Sequence, residues 1–158
     1  VLDLVICSAL PRPERARWLV EKGAELGVRD IVFYSSIRAP RALSRAAHER
    51  LARVAAAAFT QSDGSRLTEI RGLVGWPELV AGCGVRATLL LEPGRRGRTL
   101  EEATIGGEVR VVVGPEGGLA AHEVDELLAA GAFPWRLGPR RLRVETAAIA
   151  AASRLLAH

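Results

Sequence analysis

The sequence contains no methionine, only two cysteines and few aromatic side chains. Cys7 and Cys83 lie far apart without paired spacing, which excludes a disulfide framework and a cysteine zinc site and leaves both as small core residues of a reducing compartment. No apolar run approaches the length of a membrane span and no signal peptide opens the chain, so a protein outside the membrane and not exported is expected. His48, His122 and His158 share no ligand spacing, and no metal site is expected from them. No Gly-Lys-Ser/Thr follows a glycine turn and no G-x-G-x-x-G occurs, which removes a P-loop and weakens a dinucleotide site. Serine and cysteine lack a histidine partner in any local motif, so a hydrolytic triad is unsupported. The chain begins at Val1 inside a strand-like run and reads as part of a longer polypeptide.

What is present is an Ala-, Val- and Leu-rich chain of 158 residues, 49% hydrophobic. One domain of this size buries roughly 70% of its unfolded surface. The net charge is +4 and the pI about 10.0, with the basic residues overwhelmingly Arg. The forked guanidinium suits phosphate and planar anionic partners. Residues 2–10 read as a buried strand ending at Pro11 and Pro13, residues 14–26 as a helix stopped by Gly27, and residues 28–34 as a second strand. This is a βαβ unit by size, and the right-handed crossover makes its strands parallel. Ser44 is placed to cap a long Ala-rich helix running to Gln61, with Leu51, Val54, Ala55, Ala58 and Phe59 as its buried stripe. Residues 66–70 follow as a short strand, 77–81 as a short helix opened by proline, and 86–92 as another buried strand. The next loop, residues 94–99, is basic and glycine-rich, a candidate for phosphate contact. The alternation predicts an α/β fold, a largely parallel sheet of about five strands with helices on both faces.

Residues 109–147 organise the rest. Val109 to Val113 is an apolar run without polar alternation, as in a strand buried on both faces. Gly114-Pro115-Glu116-Gly117-Gly118 breaks it, and a helical pattern resumes. The turn therefore leaves the carboxyl edge of a central strand, where open α/β sheets bind ligands, and its glycines let a ligand approach the main chain. Further on, Leu137-Gly138-Pro139-Arg140-Arg141-Leu142-Arg143-Val144-Glu145-Thr146-Ala147 concentrates arginines and a Glu-Thr pair at the start of an Ala-rich helix. The turns after Leu91 and Val113 are both placed to frame one pocket.

These residues resemble the RsmE family of ribosomal RNA methyltransferases, in the SPOUT superfamily. The pattern GPEGG-[FL]-S-x-x-E followed by LG-x-R-I-L-R-x-E-T-A is met by Gly114 to Gly118, Glu123, Leu137-Gly138, Arg140, Leu142-Arg143 and Glu145-Thr146-Ala147. Lys22, Glu25, Leu26, Gly27 and Val28 fit K-x-x-E-L-G-V, and Gln61-Ser62 fits Q-S. The resemblance covers residues 1–158 as the family's C-terminal catalytic domain; the family's usual N-terminal, PUA-like RNA-binding domain is absent from this chain. It implies a SPOUT-type α/β fold with a C-terminal trefoil knot, a cytoplasmic homodimer without metal, and S-adenosylmethionine-dependent methylation of uridine N3 in 16S rRNA of the small ribosomal subunit. The cofactor would be held at Leu91, Gly114, Glu116, Gly117, Gly118, Leu137, Gly138 and Leu142, largely by main-chain groups. Arg140, Arg143, Glu145 and Thr146 are the catalytic candidates, with Arg38, Gln61 and Arg141 toward RNA.

Methyl transfer needs near-attack geometry and loss of the N3 proton. Arg140 and Arg143 are suited to uracil carbonyls or phosphate, and Glu116 or Glu145 to the proton, although an acid at Glu145 also suits a helix start. Several residues depart from the family pattern. Ala120 stands where a capping Ser is usual, Arg141 where an apolar residue is usual, and Gly64, Thr60 and Ala39 replace Arg, Glu and Ser on the substrate side. Two alternatives stay open. A ribose 2′-O SPOUT enzyme would carry Asn and Ser near the last motif, and a non-catalytic RNA-binding or ribosome-assembly module would account for the substrate-side replacements.

Overall fold

Along the Val- and Leu-rich strands successive side chains point to opposite faces, and here both faces are apolar, so helices are needed on each side. The computed structural model describes residues 2–94, 97–99 and 107–157. In chain order these form β1 (Asp3–Ala9), α1 (Pro13–Glu25), β2 (Asp30–Tyr34), α2 (Arg45–Gln61), β3 (Glu69–Val74), α3 (Trp76–Cys83), β4 (Ala87–Leu91), β5 (Glu108–Val113), α4 (Ala121–Ala129), β6 (Phe133–Trp135) and α5 (Val144–Leu156). The sheet runs β3-β2-β1-β5-β4-β6 with parallel pairing throughout. Leu4, Ile6, Ile31, Phe33, Val111 and Val113 face α1, α2 and α5, while Val5, Cys7, Tyr34, Leu90 and Val112 face α3 and α4. The expected α/β architecture with helices on both faces is the one observed.

Local chemistry explains most boundaries. Gly27 follows α1 with φ +83, the left-handed stop expected of it. Ser44 caps α2, its hydroxyl accepting the Ala47 N–H at 3.1 Å. The third strand lies at Glu69–Val74 rather than 66–70, because Arg66 is held by Asp3 at 2.7 Å and Thr68 donates to the Val28 carbonyl at 2.6 Å. A sixth strand, β6, exceeds the expected number. It is three residues long with proline at its centre, so it gives no strand signal, and it lies at the sheet edge where a missing N–H is tolerated. Cys7 and Cys83 are buried free thiols, and burial pushes the Cys7 thiol up to about 12. His48 is half-buried, its Nε2 2.9 Å from the Ile70 carbonyl oxygen. His158, and Arg95 and Arg96 of the basic loop, lie outside the described residues.

At the start of α4, Ala120 has no side-chain oxygen, and only half of a capping box exists. The buried Glu123 carboxylate accepts the Ala120 N–H at 2.9 Å. Ala120→Ser supplies the missing acceptor and is expected to raise stability by about 1 kcal/mol, whereas Glu123→Ala lowers it by about 1–2 kcal/mol. Urea unfolding of the two variants checks both signs.

The amino edge of the sheet is tied by charge. Arg29 donates to Glu108 at 2.8 Å and to Asp30 at 3.0 Å, linking β2 to β5. The Arg29 hydrogen bond holds the Glu108 carboxyl below its ordinary value. A lowered folded-state pKa contributes stability above the unfolded pKa, and that stability is lost as pH falls through the folded one. Arg29→Met is expected to destabilise by about 2 kcal/mol at neutral pH. The deficit shrinks as acid protonates Glu108, which urea midpoints at pH 7 and pH 3 measure.

Candidate functional site

Parallel pairing brings the carboxyl ends of β4, β5 and β6 side by side. The turns that leave them, with Val144 and Ala147 of α5 as one wall, enclose a hollow of about 490 Å³, the size of a small-molecule site. Leu91 ends β4; Gly114, Glu116, Gly117 and Gly118 follow β5; Leu137, Gly138 and Leu142 follow β6. All eight line this hollow, together with Arg140 and Arg141. The turn after β5 is closed by the Gly118 N–H on the Pro115 carbonyl at 2.8 Å, with Gly118 at φ +79. At Gly117 and Gly138 no heavy atom of the described residues beyond the chain neighbours lies within 4 Å of where a Cβ would stand, so both leave open space beside the main chain.

Three arginines from distant segments grip the same turn. Arg38, in the β2–α2 connection, donates to the Gly117 carbonyl at 3.2 Å, and Arg141 donates to the Glu116 carbonyl at 3.2 Å. Arg15, in the first turn of α1, makes an ion pair with the Glu116 carboxylate, and its Nε lies 3.8 Å from Glu145 Oε1. Sequence reading missed Arg15. Its only signal was its place just after the first buried strand, and parallel pairing puts the end of that strand beside the end of β5.

Not all the predicted site residues gather in the hollow. Val144 and Ala147 share the face of α5 that lines it. Glu145 is turned a further 100° or so around the helix and is buried toward α1, with Oε2 lacking a hydrogen-bond partner among the described residues. Arg143, at the N-cap of α5, and Thr146 are exposed outside the hollow. Gln61 lies elsewhere, in a shallower depression between α1 and α2 with Arg17, Arg50 and Arg53. Trp135 was also missed: it lines the hollow, its buried indole N–H has no partner among the described residues, and the Arg154 guanidinium lies 5.9 Å from the ring centre. Among the substrate-side replacements, Thr60 turns its hydroxyl back to the Ala56 carbonyl at 3.0 Å. Among the described residues no group of three His, Cys, Asp or Glu side chains is placed to hold a metal, and no helix is long and apolar enough to cross a membrane.

Residues 1–156 match the RNA methyltransferase domain family. Ribosomal RNA small subunit methyltransferase E of Mycobacterium bovis is 30% identical over 158 residues, covering 94% of this chain and 60% of that protein. The protein of the same name from Bacillus subtilis is 27% identical over 168 residues, covering 96% of this chain and 64% of its own length. This chain thus spans somewhat over half the length of these relatives. A Legionella pneumophila methyltransferase structure with bound S-adenosylmethionine superposes with a TM-score of 0.90 at 28% identity, covering 99% of this chain and 66% of that one. With the fold, the glycine turn and the arginine-rich segment all in one match, the chain belongs to the RNA methyltransferase domain family, as its resemblance to the RsmE family implied.

Proposed function

We propose that this chain is the catalytic part of an S-adenosylmethionine-dependent methyltransferase acting on uridine N3 in 16S rRNA of the small ribosomal subunit. In this reading it is cytoplasmic, works as a homodimer without metal, and carries the C-terminal trefoil knot of the SPOUT fold. The observation that carries the reading is the hollow at the carboxyl edge, where seven residues of two separate motifs converge with Leu91 at the end of β4. Its lining suits the cofactor: main-chain groups at three turns, an apolar floor of Leu90, Val113 and Val144, and the open space beside Gly117 and Gly138. Bound there, S-adenosylmethionine supplies a methyl carbon activated by the attached sulfonium.

The chain's own residues do the rest. The turns fix the donor, so that reaction requires only the approach of an acceptor in line. Arg140 and Arg141 stand exposed at the rim, able to make charge-assisted bonds to RNA phosphate or to uracil carbonyls as N3 loses its proton. Arg143 and Thr146 lie one step farther along the same edge and are suited to contact the RNA rather than the cofactor. Glu116 is a carboxylate on the wall, beside Glu92, and Glu145 is reached from it through Arg15. Arg38 extends the basic rim toward RNA, and Gln61, in the separate depression with Arg17, Arg50 and Arg53, is a second RNA contact. The target base must leave its stack to present N3, which lies on the Watson-Crick edge.

Calorimetric titration with S-adenosylmethionine tests the reading. Micromolar binding is expected, and Gly117→Val or Gly138→Val should weaken it at least tenfold, because the new side chain meets no protein atom and takes ligand space. Gly118→Val is a poorer probe, since φ +79 strains any side chain there. A folded chain that does not bind would move the reading to a non-catalytic RNA-binding or assembly module.

A further inference from the structure

The hollow is walled by main chain and apolar groups except at Glu92, Glu116, Arg140 and Arg141. Glu92 is engaged locally, one oxygen accepting the Gly94 N–H at 2.8 Å. Glu116 is different. It belongs to the turn most intimate with the hollow, and its side chain is more than half exposed, yet it is paired with Arg15 from another helix. Arg15 is itself three-quarters buried, and on its other side stands Glu145, whose side chain is 11% exposed. One guanidinium therefore joins three segments: the start of α1, the glycine turn and the start of α5.

We propose that Arg15 is a positioning residue of the cofactor pocket, neutralising the Glu116 carboxylate on the pocket wall and tying that wall through Glu145 to α5. The inference rests on the functional reading above and adds to it a charge-setting role for a residue outside the recognised motifs. The physical reason lies in what a bare carboxylate at this place would do. It would attract a cationic ligand in its ground state, and the attraction would fade as the positive charge disperses on methyl loss, so it would raise the barrier rather than lower it. Arg15 removes that excess attraction while holding Glu116 in one orientation. Among the described residues the buried Oε2 of Glu145 has no hydrogen-bond partner, and the Arg15 contact restrains that side chain at Oε1.

The charge-setting role has a readout that a purely structural role does not share. S-adenosylmethionine and S-adenosylhomocysteine differ by one methyl group and one positive charge at sulfur, so the ratio of their dissociation constants senses wall charge. Titration of this chain with each ligand is expected to show Arg15→Ala shifting the ratio toward S-adenosylmethionine by about three- to tenfold. Glu116→Gln takes the negative charge off the wall, leaves Arg15 with Glu145 alone and should shift the ratio the other way. The double variant should return near the wild-type ratio, and Arg15→Lys should stay close to it. Should Arg15→Ala fail to fold, as urea unfolding would reveal, the opposite shift in Glu116→Gln still decides. Equal weakening of both ligands in every variant, with the ratio unchanged, overturns the role of Arg15 and leaves the functional reading standing. A wild-type chain that binds neither ligand overturns the functional reading and this inference together.

Discussion

β5 pairs in parallel with β1 on one side and β4 on the other, with Val112 opposite Cys7 and opposite Leu90. This pairing aligns the ends of strands that are distant in sequence, so the turns after Leu91, Val113 and Trp135 emerge at a common level. The strand order also reverses direction here, with β2 and β3 on one side of β1 and β5, β4 and β6 on the other. An open parallel sheet has its natural crevice at such a point. Slipping β5 by one residue would exchange its two apolar faces and carry the glycine turn out of level with its neighbours.

The site is built from main chain on the inside and arginine on the outside. Gly114, Gly117, Gly118 and Gly138 bring the backbone to the hollow without side chains in the way, while Arg15, Arg38 and Arg141 hold the same turn from without. Arg38 and Arg141 each bond a carbonyl of the turn while remaining exposed. The residues suited to meet an anionic polymer are thus in direct contact with the loop that lines the small-molecule hollow. The arrangement suits a reaction between a compact cationic donor and a large polyanion.

The convergence of the two motifs on one hollow was legible because each motif is local. Gly114 to Gly118 directly follow an apolar strand, Leu137 to Leu142 form one continuous motif, and parallel strands bring both to one edge without further information. Ser44 and Gly27 were legible for the same reason, since a cap acts within a few residues. What was not legible depends on direction or distance. Glu145 and Ala147 are two residues apart, and only the packing of α5 against α1 and the sheet decides that Ala147 meets the hollow and Glu145 meets Arg15. The ion pair of Arg15 with Glu116 spans about a hundred positions, and no periodicity encodes it. The strand β6 escaped notice because Phe133-Pro134-Trp135 is too short to alternate and carries proline; pairing with β4 makes it a strand.

The two edges of the sheet are given to different tasks. At the amino edge Arg29 gathers Asp30 and Glu108, with Asp3, Arg66, Arg71 and Arg86 around them, while the glycine turns and the hollow occupy the carboxyl edge. The length of the strands separates them, and charges so far apart are largely screened in physiological salt. Heat tolerance can therefore be adjusted at one end without retuning ligand affinity at the other. A lineage moving into hotter or saltier surroundings could rewrite the amino-edge charges and leave the residues around the hollow unchanged.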